Sequence, residues 1–172
     1  FPEAEVYFDQ ALTLAASAFG PDNRKVLETH RALMALFNDA GRSDRARDQA
    51  SVPLAICDEK FPASEPLCLD LRRLLAHSLE ILGEPLQSLT LREQILARTP
   101  SDAGPRFGEA HVELAASLVQ LGRWEPALEH AEAAEKNLDA ADPALADAAL
   151  YHGEALLALG RPIDAIPALE RA

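Results

Sequence analysis

Aromatic residues are scarce in this chain. Phe, Trp and Tyr make up 5% of its 172 residues, and the 48% hydrophobic fraction is mostly alanine and leucine. That shortage argues against a β-sandwich and for closely packed helices. Basic charge is also short, 16 Lys and Arg against 28 Asp and Glu, a net of −12. A surface this acidic repels phosphate backbones and anionic lipid, which excludes nucleic acid and membrane as expected partners. No apolar run approaches the roughly 18 residues that span a bilayer. Cys57 and Cys68 are too few for a disulfide framework and lack CxxC spacing, so they read as free buried thiols. The chain shows no signal-peptide pattern and does not begin with methionine, so it reads as a fragment of a longer protein, with cytoplasmic origin as the default.

What is present is a repeat. Gly41, Gly83, Gly122 and Gly160 each close an apolar helical stretch, at spacings of 42, 39 and 38 residues. Three of them are followed by arginine (Arg42, Arg123, Arg161), and five residues after each comes a small residue: Ala46, Ser88, Ala127 and Ala165. Glycine ends a helix in a left-handed conformation that costs other residues a Cβ clash. The small residue lets the next helix cross closely. Prolines at Pro21, Pro62, Pro100 and Pro143 separate one helix pair from the next. The pattern predicts about nine helices, near 3–18, 24–40, 43–60, 65–82, 84–98, 105–121, 124–139, 143–159 and 162–171, with no strand. Pro53 should kink or break the third.

Counted from the turn glycine, the pattern resembles tetratricopeptide repeats. Leu114, Ala115 and Leu118 sit at the large–small–large places of a first helix, with Ala127, Ala131 and Ala134 as the small-residue ladder of a second. Gly153, Leu156, Ala165 and Leu169 fill the corresponding places one repeat later, and Leu75, Ala76, Leu79, Ser88 and Ile95 one repeat earlier. The spacing of about 42 residues, with Phe19-Gly20-Pro21-Asp22-Asn23 between repeats, is similar to the kinesin-light-chain-like subclass. The resemblance implies an all-α fold, a right-handed α-solenoid of stacked antiparallel helix pairs. It would be a single repeat domain over 1–172: a leading helix at 3–18, then repeats at about 24–60, 65–98, 105–139 and 143–171.

In such an array the first helices line a concave groove. The candidate partner-binding residues there are Arg31, Asn38, Arg73, His77 and Glu80 in the N-terminal half and Glu109, Val112, Val119, Leu150 and Glu154 in the C-terminal half. Arginine suits partner carboxylates because its guanidinium can bind them bidentately. Residues 101–172 carry thirteen acids and five bases, which would steer a basic partner there. The lysine–asparagine set by which some arrays of this kind clamp a C-terminal carboxylate is missing: Arg31/Ala35, Arg73/His77 and Val112/Ala116 stand in its place.

No HExxH, GxSxG, P-loop or GxGxxG occurs. None of His30, His77, His111, His130 and His152 stands four residues from another. No enzyme activity, metal or cofactor is expected. The expected function is a protein–protein interaction scaffold that holds a peptide or helix. The resemblance implies a module of a larger bacterial signalling or regulatory protein, such as a serine/threonine kinase. The alternatives are self-association through end helices, with Phe8, Leu12 and Leu14 as the contact, and a peptide or small-ligand sensor.

Overall fold

Each repeat turn is built by the same two backbone bonds. At the first, the N–H of Gly41 donates to Asn38 O (3.0 Å) and that of Arg42 to Phe37 O (2.7 Å). The pair recurs at Gly83/Glu84, Gly122/Arg123 and Gly160/Arg161. This is the Schellman arrangement, which satisfies carbonyls orphaned at a helix end and requires a positive φ at the glycine. The four φ values are 71°, 77°, 67° and 74°. At the first turn the Arg42 guanidinium also lies 5.7 Å from the centre of the Phe37 ring, closing the motif from outside.

The computed structural model describes residues 2–172, without the side chains of residues 2–5 and 9. Among them no strand occurs, and the helices are α1 (Pro2–Phe19), α2 (Arg24–Asp39), α3 (Ser43–Gln49), α4 (Ser51–Lys60), α5 (Pro66–Ile81), α6 (Pro85–Arg98), α7 (Pro105–Gln120), α8 (Trp124–Asn137), α9 (Ala144–Ala158) and α10 (Pro162–Leu169). Pro66, Pro85, Pro105 and Pro162 each open a helix, where a missing N–H costs nothing. Asn23 and Asp142 accept from the N–H groups of Lys25 (3.0 Å) and Ala144 (2.9 Å) at the starts of α2 and α9. The expected 43–60 helix is two segments that meet at Ala50. Pro53 has no N–H to give the Gln49 carbonyl, and the ladder breaks there.

The helices fall into two compact units, Phe1–Ser88 and Leu89–Ala172. In the first, Leu27, Leu33, Met34 and Phe37 of α2 pack with Ala46, Ala50, Leu67 and Leu71. Phe8 and Leu12 of α1 turn inward against this core, while Leu14 is 67% exposed. Of the three residues expected to form an end contact, only Leu14 is on the outer face, because helical spacing divides them between the two sides of α1. In the second unit, Leu89, Leu114, Leu118, Ala127 and Ala155 form one cluster, and Val112, Ala134, Leu138 and Ala148 another. The ladder Ala127, Ala131 and Ala134 is fully buried, and this is what brings α7 and α9 close to α8.

The cysteines are not free thiols. Cys57 near the end of α4 and Cys68 in the first turn of α5 form a disulfide across a Cα–Cα distance of 5.7 Å. The short α4–α5 connection folds both into the same core, so burial and pairing occur together. With only 11 residues of separation, the closed loop should stabilise the first unit by about 2–3 kcal/mol. We expect thiol reductant to lower its melting temperature, and the Cys57→Ser/Cys68→Ser double variant to melt lower and ignore reductant.

Two glycines inside helices mark close crossings. A Cβ on Gly108 would lie 2.6 Å from the Leu138 side chain and 3.3 Å from the Asn137 backbone; one on Gly153 would run into the Leu169 side chain. Leu138 is buried, whereas Leu169 is 37% exposed and has room to swing away. Gly108→Ala should therefore cost about 1–3 kcal/mol in a denaturant melt, outweighing the gain in helix propensity, while Gly153→Ala should be near neutral.

Candidate functional site

The first helix of each repeat leaves one face to solvent, and the expected partner-binding residues divide on it. In the first unit, Arg31 of α2 and His77 of α5 are exposed. Arg73 is half-buried, with Nη1 3.3 Å from Asp70. Arg31 and Arg73 occupy the same place in successive repeats, on helices that pack together. Glu80 accepts a 3.0 Å hydrogen bond from Ser88 Oγ, which ties α5 to the start of α6. Asn38 is buried: its Nδ2 donates to Leu74 O (3.1 Å) and its Oδ1 accepts from Ser78 Oγ (2.9 Å). Its amide is an internal strut between α2 and α5.

In the second unit, α7 and α9 enclose a cleft of about 420 Å³. Val112, Pro143 and Ala144 are its apolar lining, with Glu109, Glu113, Asp142 and Asp147 around them. Arg92 of α6 reaches Glu113 at 3.4 Å, and one Asp142 oxygen caps α9. The remaining carboxylates lie on helix faces that accept a cation without desolvating it fully. Val112 is 7% exposed and belongs to the core cluster with Ala134, Leu138 and Ala148, so it offers an edge rather than a whole side chain. Val119 is half-buried against the Leu114–Leu118 cluster. Leu150, 37% exposed, and half-buried Glu154 lie further along α9. The cleft thus joins Glu109 and Val112 to Asp142 and Pro143, which were not anticipated. Asp142 and Pro143 look like loop punctuation in the sequence; only the packing of α9 on α7 turns them into a wall.

A histidine pair was also missed. His111 of α7 and His130 of α8 face each other across the hairpin with their Nδ1 atoms 2.9 Å apart. The Phe107 ring stands edge-on to His111 at 4.7 Å. Counting outward from the Gly122 turn, 11 residues one way and eight the other, would have found it. Burial, and then the neighbouring His130, push His111 down to about 4. Burial also lowers His130, against the pull of Glu129 and Glu93. One ring donates to the other, so the pair holds only while at least one is neutral. Among the described residues no group of three or more His, Cys, Asp and Glu is placed to hold a metal ion, and no helix is long and apolar enough to cross a membrane.

The pair makes stability depend on pH. Unfolded, His111 takes up a proton near pH 6.5; folded, it stays neutral to about 4. The unfolded state therefore binds more protons in that window, and stability falls as pH drops through it. Melting temperature should decline from pH 7 to 4, and His111→Leu should flatten part of that slope, with His130 and buried His30, both also lowered by desolvation, contributing to the rest.

No family model matches the sequence, and no curated protein does. Solved structures do. The nearly identical TPR-like repeats of a kinesin-light-chain-like protein from Podosopora anserina superimpose with a TM-score of 0.80 at 21% identity, over 99% of this chain and 84% of that one. BtubC (BKLC) from P. vanneervenii gives a TM-score of 0.85 at 19% identity, over 99% and 70%. MamA gives 0.70 at 16% identity, over 98% and 88%. The fold of this chain is that of the TPR-like repeat proteins, nearly from end to end.

Proposed function

We propose that this chain is a protein-interaction scaffold with no chemistry of its own, and that the α7–α9 cleft receives a basic side chain of a peptide or helix partner. The cleft carries this reading: four carboxylates surround an apolar lining within residues 101–172, whose net charge is −8. A lysine or arginine entering it would lay its methylene stem on Val112 and Pro143 and leave its charge between Glu109 and Asp147. Leu150 extends the surface with an apolar contact. In the first unit, Arg31 and Arg73 are the groups suited to partner carboxylates, with His77 on the same helix as Arg73. A partner of mixed charge fits these residues better than a uniformly basic one.

The setting that the sequence resemblance implies is a larger bacterial signalling or regulatory protein, such as a serine/threonine kinase. The Cys57–Cys68 disulfide favours an oxidising compartment over the cytoplasmic default.

The test is fluorescence anisotropy with labelled peptides that place Arg or Lys three or four residues from Leu. Glu109→Lys/Asp147→Lys should weaken binding about tenfold or more, as reversal of two rim charges removes about 1.4 kcal/mol. Binding should also weaken with added salt, since the Debye length is only about 10 Å at 0.1 M. Arg73→Ala and Leu150→Ala report separately on the two units. Affinity unchanged in all of these variants would put the interaction on another surface.

A further inference from the structure

The α7–α9 cleft has a counterpart in the first unit, and there the chain fills it with a base of its own. Counted back from the turn glycines, Glu28 corresponds to Glu109, Glu65 to Asp142 and Asp70 to Asp147. An acid–proline step opens the later helix in both, Glu65-Pro66 and Asp142-Pro143. The helices concerned pack together in both units, α2 with α5 and α7 with α9. Across the first of these sites lies Arg24. Its Nε is 3.4 Å from Glu28 Oε1 and its Nη1 is 2.6 Å from Glu65 Oε1. One guanidinium therefore ties α2 to the start of α5 through two carboxylates.

From the first site to the second, the three acids are kept and the three bases are not. By the same count Arg24 corresponds to Pro105, Arg31 to Val112, and Arg73, the partner of Asp70, to Leu150. The second cleft thus has the carboxylates of the first without its guanidinium groups. Arg92 comes to Glu113 from α6, at a place that is Ala32 in the first unit. Arg106, next to Pro105, lies outside the lining. Glu109 and Asp142 are half-buried, and Asp142 uses one oxygen on the Ala144 N–H. Carboxylates partly withdrawn from water gain more from a fixed cation than fully exposed ones do.

We propose that the α7–α9 cleft is an arginine site, which takes the guanidinium of a partner polypeptide where the first unit holds Arg24. This rests on the reading of the cleft as the receiver of a basic side chain, and it names the group. The guanidinium bridges Glu109 and Asp142 as Arg24 bridges Glu28 and Glu65, with Asp147 as a third carboxylate on the rim. Pro105 carries no base to compete for the place. Arginine is preferred to lysine because its planar fork presents several N–H groups in fixed directions to two acceptors at once. A lysine ammonium is a compact, more strongly hydrated point charge.

The probe is N-acetyl-arginine amide, titrated into the isotope-labelled whole chain and followed by amide NMR shifts, with the lysine and citrulline analogues beside it. Saturable shifts are expected at Glu109, Val112, Ala144 and Asp147. Arginine should bind about fivefold or more tightly than lysine, and citrulline, which keeps the shape without the charge, should not bind. Pro105→Arg returns to the cleft the base that the first unit has, and should weaken the arginine probe about fivefold or more. Arg24 opens α2 from the same position, so this variant should fold as the parent does, with an unchanged circular dichroism spectrum. Glu170→Gln makes the same change of net charge at an exposed residue after α10 and should leave the affinity as it is. Equal affinity for arginine and lysine, or a Pro105→Arg variant that binds like Glu170→Gln, would overturn the arginine assignment while the wider reading of a basic-side-chain cleft stands. No shift at the cleft with either cationic probe would overturn both.

Discussion

Everything in this molecule depends on how closely one helix can approach the next. A helix pair closes only where the chain can reverse in two residues, which the left-handed glycine allows, and where a small side chain follows, so that the second helix crosses the first without being pushed away. Ala127, Ala131 and Ala134 are fully buried for this reason, and bare Cα atoms at Gly108 and Gly153 admit leucine side chains against the helix backbone. Leu138, buried in this way, is worth about 1.5–3 kcal/mol in removed apolar surface. A helix pair has too little apolar surface of its own to fold alone, and it gains the rest from the neighbouring pair.

That arrangement separates the roles of polar residues. Where two first helices pack, an amide or hydroxyl between them must find a protein partner, because water is excluded. Asn38 and Ser78 satisfy each other and the Leu74 carbonyl in this way. Buried Arg72 bonds the Cys68 carbonyl and Asp58 beside the disulfide. One turn further round the same helices, charge lies in water and is free to meet a partner. A single residue of helix phase distinguishes Asn38, a strut, from exposed Asp39. The surface therefore collects charge where packing does not use it, and the acidic cleft is one result of that sorting.

The four turn glycines, the small residues after them and the prolines between pairs sufficed to predict every helix within a few residues, because those signals act on neighbouring backbone. The break at Pro53 was legible for the same reason. The pairing of Cys57 with Cys68 was not, since it depends on how the α4–α5 connection folds back. Nor was the burial of Asn38 and Val112, or the inward turn of Phe8 and Leu12, which depend on which neighbour covers which face. His111 and His130 are unremarkable 19 residues apart in the chain and meet only when the hairpin closes.

The sequence by itself determined the local order: where helices begin and end, how often they recur, and that their apolar stripes demand neighbours. Those properties follow from backbone sterics and periodicity within a few residues. The tertiary structure alone decided which side chains remain available. Burial is a property of two surfaces at once, and the same helix face becomes core or cleft wall according to whether another helix lies on it.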